Sequence, residues 1–392
     1  MLGFGLVMPL LPIYARNFGA SGLQLGLLTS SFAVARLTTA LPGGWLADKL
    51  GRKKPVVLGL LVYSIVMSLY GFSQDVFQLI LFRAFQGMAS GIVWPVISTM
   101  VADMVSPRDR GKALGIYGMT WFLGTVVGPG LGGVLAGTFS ISAPFFVCGA
   151  LALLSTTLVA FTVQETVTVE QAKGNPEVNA NPLPTENHEP FGLAIFVHRI
   201  RQLTPYVGTF LGLCTARFIL AFSNSLIQPL LSVFANEELG ISEAGVGILF
   251  AVQGLATLLA TMPMGTVGDK VGRKPMVVLG QVFDAASAIL IVFSGSFWPL
   301  VLIMTLRGLG RAVSNPSIVA MFSGLLPLSK RGRGMGVFSV FQNVGLVAGA
   351  TVGGFLYEFS SSEMPFIACA LVGLAGVLVV LVTVSEPKQA LK

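Results

Sequence analysis

Charge is what this sequence has least of. Lys, Arg, Asp and Glu make up 10% of its 392 residues, against about 25% in an ordinary soluble domain. Hydrophobic residues account for 54% and mean hydropathy is +0.81, which excludes a soluble enzyme built on one core. Cysteine is scarce too. Cys148, Cys214 and Cys369 all fall in apolar runs, where they act as small packing residues, so no disulfide framework or cysteine-rich metal site is readable. The two histidines, His188 and His198, share one polar stretch without metal-ligand spacing. No metal site and no cofactor are expected. A Gly-x-x-x-x-Gly-Lys-Ser/Thr loop is missing as well, which disfavours an ATP-driven pump. Nothing suggests an enzyme.

Long apolar runs take the place of all this. Stretches of about 18 to 28 residues recur, each able to cross a hydrocarbon core of roughly 30 Å. They lack the period-two alternation of barrel strands and read as helices. The spans run near 1–17, 22–47, 55–73, 76–102, 110–138, 143–164, 204–235, 243–267, 275–295, 297–325, 333–358 and 364–385. An all-α, multi-pass protein of the lipid bilayer follows, with 12 transmembrane helices.

The net charge of +7 raises the question of nucleic acid, but its placement answers it. Of the 24 Lys and Arg residues, 18 sit in alternate connections or at the C-terminus: 49–54, 108–112, 165–203, 270–274, 330–333 and 388–392. Five lie inside spans, and the opposite loops carry only Arg16. This is the positive-inside pattern. It predicts a plasma or inner cell membrane location, with the central linker and C-terminus cytoplasmic and no nucleic-acid partner.

A short charged turn appears twice, 221 residues apart. Gly44-Trp45-Leu46-Ala47-Asp48-Lys49-Leu50-Gly51-Arg52-Lys53-Lys54 is repeated as Gly265-Thr266-Val267-Gly268-Asp269-Lys270-Val271-Gly272-Arg273-Lys274-Pro275. At the same offset Gly87 matches Gly308, Pro95 matches Pro316, and Gly124, Gly128, Gly132 and Gly133 match Gly345, Gly349, Gly353 and Gly354. One unit is used twice. We expect a bundle of six helices over 1–164 (TM1–TM6), a cytoplasmic linker over 165–203, and a second, pseudo-symmetric bundle over 204–392 (TM7–TM12). Within the linker, 165–190 is rich in Pro, Asn and Glu and reads as disordered. Residues 191–203 fit either a short interfacial helix or plain linker. Met1 matches Phe222, whereas the second half's apolar run begins near Tyr206. The first helix is therefore expected to be truncated or miscalled at its start, a short first helix being the alternative. A secretory signal is excluded by the missing basic region and cleavage site.

These residues resemble the major facilitator superfamily. The loop after the second span is similar to the family's G-x-L-A-D-[RK]-x-G-R-[RK] motif, carried here by Gly44, Leu46, Ala47, Asp48, Lys49, Gly51, Arg52 and Lys53 with the first Gly shifted by one. Gly124-x-x-x-Gly128-Pro129-x-x-Gly132-Gly133 resembles the fifth-span motif of its drug:proton antiporters, the multidrug efflux group. Leu79-x-x-x-Arg83-x-x-x-Gly87-x-x-x-Gly91 and Met8-Pro9-Leu10-Leu11-Pro12 resemble its fourth- and first-span motifs. The resemblance implies that Asp48, Arg52 and Asp103 form a gating cluster that latches the two halves, aided by the tight turns at Gly44 and Gly51. A solvated turn is the plainer reading. The second copy, Asp269 and Arg273, has Gly324 where the first has Asp103 and is expected to be structural. The fifth-span motif is implied to pack against the eighth span.

Physical chemistry adds to this. Arg83 lies inside the fourth span, where exposure to lipid would cost about 2.5–3.5 kcal/mol, so it should face the interior. Its counterpart is Met304, which suggests a role beyond the fold: tuning a nearby proton site. Satisfying carbonyls at a kinked helix is the alternative. Asp284 is the single carboxylate deep inside a visible span and could carry a proton, although the ninth span is peripheral in the family and local bonding serves equally well. Arg36, Arg217 and Arg311 could pair with it or with anionic substrate groups. Cavity-lining spans supply Gln86, Trp94, Trp121, Gln228, Gln253, Asn315, Phe341, Gln342 and Asn343 as substrate-binding candidates. Scattered amides among aromatics suit an adaptable apolar ligand. The expected function is a secondary transporter, acting as a monomer, that exports small amphipathic compounds in exchange for protons. A narrow-specificity carrier of a sugar or organic anion is the alternative, and a non-transporting receptor or scaffold is the rival from another class.

Overall fold

The computed structural model describes residues 1–106, 108–166, 206–327 and 330–385. Most of the central connection, including 191–203, lies outside the described residues, as does the chain from residue 386. The elements within them are all α-helical. Helices α1 (Leu2–Val7) and α2 (Leu11–Asn17) are two parts of one span, broken where Pro9 has no N–H for the ladder. There follow α3 (Gly22–Leu50), α4 (Lys53–Tyr70), α5 (Val76–Asp103), α6 (Arg110–Thr138) and α7 (Ala143–Thr162). The second series comprises α8 (Val207–Glu237), α9 (Glu243–Val271), α10 (Arg273–Val292), α11 (Phe297–Gly324), α12 (Arg331–Phe359) and α13 (Met364–Thr383). With α1 and α2 taken together, these make twelve spans.

Nine of the described helices are long and apolar enough to cross a membrane. Helices α3 and α11 are as long but more polar, holding Thr29, Ser30 and Arg36 in one and Arg307, Arg311, Ser314 and Asn315 in the other. Both border an interior cavity. Around the outside, Phe77, Phe161, Leu302 and Val382 are exposed, the apolar belt that lipid covers.

Local chemistry sets the helix ends. Ser21 and Gln24 form a reciprocal capping box at the start of α3, while Asp75 and Ser242 accept from backbone N–H groups at the starts of α5 and α9. Gly51 and Gly272 end α3 and α9 at φ 83° and 106°, a region that disfavours any residue with a Cβ. They are related by the 221-residue repeat.

The repeat also governs packing. Gly124, Gly128 and Gly132 turn one face of α6 to α1, and a Cβ on Gly132 would lie 2.1 Å from the Leu6 carbonyl oxygen. Their matches Gly345, Gly349 and Gly353 turn the same face of α12 to α8, with Gly353 meeting the Leu226 carbonyl at 2.7 Å. Two further close approaches join the series: Gly133 of α6 on the Glu243 carbonyl of α9 (2.7 Å), and Gly354 of α12 on the Gly22 carbonyl of α3 (2.3 Å). Both contacts lie at the end of the bundle away from the charged turns. At the basic end the same helices stand apart, and a Cβ on Gly111, Gly115, Gly118, Gly265, Gly332 or Gly336 would meet nothing within 4 Å.

Candidate functional site

Three adjoining cavities share Arg311, two of them between the two series and the third within the second. The largest, about 320 Å³, is walled by Phe4, Met8, Phe32 and Trp121 together with Arg36, Arg83, Asn224, Gln228 and Asn343. A second, of 200 Å³, adds Gln253, Phe250 and Asn315. The third, of 150 Å³, brings Arg217, Asp284 and Gln342. Polar contacts run along this wall. Arg311 donates to Asn224 Oδ1, Asn224 Nδ2 donates to Gln228 Oε1 at 3.2 Å, and Gln228 Nε2 reaches the Met8 sulfur at 3.3 Å. Arg217 donates to Asn315 at 2.9 Å. This wall thus draws on α1, at the break before α2, and on α8 and α11.

Two buried polar pairs occupy matching places in the halves. In the first, Gln86 donates to the Tyr63 hydroxyl at 3.3 Å and accepts from Arg83 at 2.7 Å and Tyr70 at 3.2 Å. In the second, Arg307 stands where Gln86 would be and Asp284 where Tyr63 would be, an ion pair at 3.4 Å. Arg307 is 1% exposed. One half carries a neutral hydrogen-bonded pair, the other a buried charge pair. Asp284 sits on α10 facing α11 and the cavity, so its place on the ninth span does not keep it at the periphery. Arg83 lies over the Phe32 ring, 4.6 Å from its centroid, a cation–π arrangement.

At the basic end, Arg52 pairs with Asp103 across to α5. In the second copy, where Gly324 replaces that acid, Arg273 bonds Asp269 one turn away at 3.0 Å. Asp and Arg stand four apart in both copies, a spacing that lets them pair on one helix face, and that pairing is realised in the second copy, where no better acid competes. Asp48 is exposed beside the first pair. Partial burial lowers the Arg52 guanidinium, against the upward pull of Asp48 and Glu165, and it stays a cation at physiological pH. Glu165 accepts from the Arg52 and Lys53 backbone N–H groups at 2.8 and 3.1 Å. An anion is favourable at that helix start.

The opposite end is closed by contacts between the series. Arg16 at the end of α2 makes a two-pronged bond to Glu237 at the end of α8, both at 2.7 Å, and these residues are themselves 221 apart. Glu358 of α12 accepts from the Gly22 N–H at the start of α3, at 2.5 Å.

The family model described as Major Facilitator Superfamily matches residues 1–216 and 213–392. The chain belongs to that superfamily. Among its relatives is Multidrug resistance protein 2 of Bacillus subtilis, 26% identical over 378 residues, covering 96% of this chain and 90% of the relative. The Staphylococcus aureus quinolone resistance protein NorA is 27% identical over 382 residues, covering 97% and 92%. A bacterial homologue of the human lysosomal transporter Spinster, solved in an inward-facing and occupied conformation, superposes with a TM-score of 0.71 at 16% identity over 97% of this chain and 91% of the other. The fold is that of the superfamily, and the protein is a membrane transporter whose relatives include proteins named for multidrug and quinolone resistance.

Within this superfamily member, the sequence candidates divide. Trp121, Gln228, Gln253, Asn315, Gln342 and Asn343 line the shared cavities. Trp94 meets Trp121 edge-on at 6.2 Å and borders a separate pocket, Phe341 packs beside the Phe210–Phe338 cluster, and Gln86 is enclosed in its own network. The fifth-span motif also divides. Gly124, Gly128 and Gly132, four apart, share one helix face and pack on α1. Gly133, about 100° further round, faces α9 with the Pro129 carbonyl. The sequence reading put the whole motif against the eighth span. It did not single out Arg307, Asn224, Glu165 or the Arg16–Glu237 pair as site residues. For Arg16 and Glu237 a signal existed, since opposite charges occupy matching positions of the repeat.

Proposed function

We propose that this transporter exports small amphipathic compounds in exchange for protons by alternating access. The reading rests chiefly on Asp284: one carboxylate, held by Arg307, buried at the wall of a small second-half cavity that adjoins the cavities lined by both halves. An intramembrane acid in such a place is suited to take up and release a proton. Residues 1–164 and 204–392 act as the two rocking bodies, joined by the 165–203 linker, and the basic turns lie in the cytoplasm of a cell-membrane monomer. In the state described, the cavity opens toward those turns. A compound enters between the separated ends of α6, α9, α3 and α12. Protonation of Asp284 removes its attraction to Arg307 and leaves that guanidinium without its counter-charge, beside the like charge of Arg311. Arg83 lines the adjoining larger cavity, adding positive potential that favours proton release. When the bodies rock, Arg16 and Glu237 part, and Asp48, Arg52 and Asp103 close the cytoplasmic side.

Each inward proton supplies about 2.3 kcal/mol per 100 mV and about 1.4 kcal/mol per pH unit, so no bound cofactor is needed. Proteoliposomes with an imposed pH gradient test this, using a cationic dye, an amphipathic acid and a sugar panel. Compound-dependent proton movement is expected, lost in Asp284→Asn and strongly reduced in Arg83→Ala at normal expression. Absence of proton movement with every compound would overturn the proposal.

A further inference from the structure

The charge deep inside this bundle is mostly of one sign. Arg36, Arg83, Arg217, Arg307 and Arg311 lie within the spans, against Asp284 as the single carboxylate deep inside one, and that carboxylate is engaged by Arg307. Three of the guanidiniums, Arg36, Arg83 and Arg311, line the one cavity of about 320 Å³, and no acidic residue is among its described walls. Each has unused donors. The Arg36 guanidinium makes no hydrogen bond or ion pair among the described residues. Arg83, only 6% exposed, leaves its Nε without a partner. Arg311 bonds through one terminal nitrogen to Asn224. Guanidiniums held together in a low-dielectric cavity repel one another, and leaving them unpaired is costly. The rest of the wall is apolar or aromatic, including Phe4, Phe32 and Trp121. Its volume lies within the roughly 300–1,000 Å³ typical of small-molecule sites.

We propose that the preferred ligand is an amphipathic organic anion whose acid group sits among Arg36, Arg83 and Arg311, with its apolar body against Phe32 and Trp121. This deepens the transport reading above and rests on it for the ligand's fate, though binding itself is independent of transport. A guanidinium fork matches a carboxylate with two parallel hydrogen bonds, and the ligand's charge offsets the mutual repulsion of the three guanidiniums. A lipophilic cation, by contrast, finds no free carboxylate there.

The test is a matched series on one body: naphthylacetate, its neutral amide, and naphthylmethyl-trimethylammonium, each titrated calorimetrically against the detergent-purified protein. The acid should bind at least about ten-fold more tightly than the amide, and the ammonium more weakly than either. Arg36→Gln and Arg311→Gln should each remove most of that preference, while Arg36→Lys, which keeps the charge, retains part of it and reports that the fold survives. Equal binding of acid and amide, or preference for the ammonium, overturns the inference, whether or not the cationic dye exchanges with protons in vesicles. If the acid binds as described but no compound moves protons, the exchange mechanism falls and the anion site stands.

Discussion

Asp284 and Arg307 occupy the places that Tyr63 and Gln86 hold in the first half, and that substitution of a charged pair for a neutral one argues a specific consequence. Removing one member of a buried pair strands the other charge, at about 3–5 kcal/mol. Asp284→Asn should therefore lower the thermal midpoint in detergent markedly. Asp284→Asn with Arg307→Gln, which restores a neutral pair of the kind at Tyr63 and Gln86, should regain most of the stability while leaving proton exchange absent. A double variant no more stable than the single would contradict the pairing. The acid itself was legible in the sequence because a carboxylate in an apolar run stands out. Its partner was not, since residues on neighbouring helices are brought together by register and tilt rather than by any local spacing. Gln86 illustrates the same limit. Its residue type fits a cavity wall, yet its helix turns it toward Tyr63 and Tyr70.

At the scale of elements, the glycine series on α6 and α12 separate two kinds of contact. Those four apart weld a helix to a neighbour within its own half, whereas Gly133 and Gly354 let a helix touch the other half. Substituting Gly354→Leu inserts a side chain where the Gly22 carbonyl now lies, so the end away from the basic turns should open. A cysteine placed at Ser21 should then react several-fold faster with a membrane-impermeant maleimide. An unchanged rate would show that this approach is not what holds that end shut. Gly349→Leu, against the Phe222 carbonyl within one half, should instead lower thermal stability. The spacing of these glycines was plain in the sequence, as was the repeat. Which glycine meets which helix depended on the helical phase.

For the whole molecule, the end that is closed is held across the halves by Arg16 with Glu237 and by Glu358 with the Gly22 N–H. The ion pair is partly exposed, with side chains 30% and 36% accessible, so its contribution should be about 0–1 kcal/mol. Arg16→Ala should then shift the balance of open and closed states by up to about five-fold. Distances between spin labels at the starts of α3 and α9 would report it, and exchanging the two charges, Arg16→Glu with Glu237→Arg, should restore the original distribution. Identical distributions in all three proteins would remove the pair from the gate.

By itself the sequence determined the class of protein, its spans, its repeat, its superfamily and the inventory of charged groups placed in an apolar medium. The superfamily follows from the resemblance of its motifs, and the rest from composition and periodicity, which water and lipid act on without reference to any distant residue. Tertiary structure decided which charges met. It set Arg52 against Asp103 but Arg273 against Asp269, gave Asp284 to Arg307, and left Arg36 facing a cavity without a partner. The reason is geometric. A charge inside a membrane must find a counter-charge or a wet cavity, and only the packing of all the helices determines which of these lies within reach.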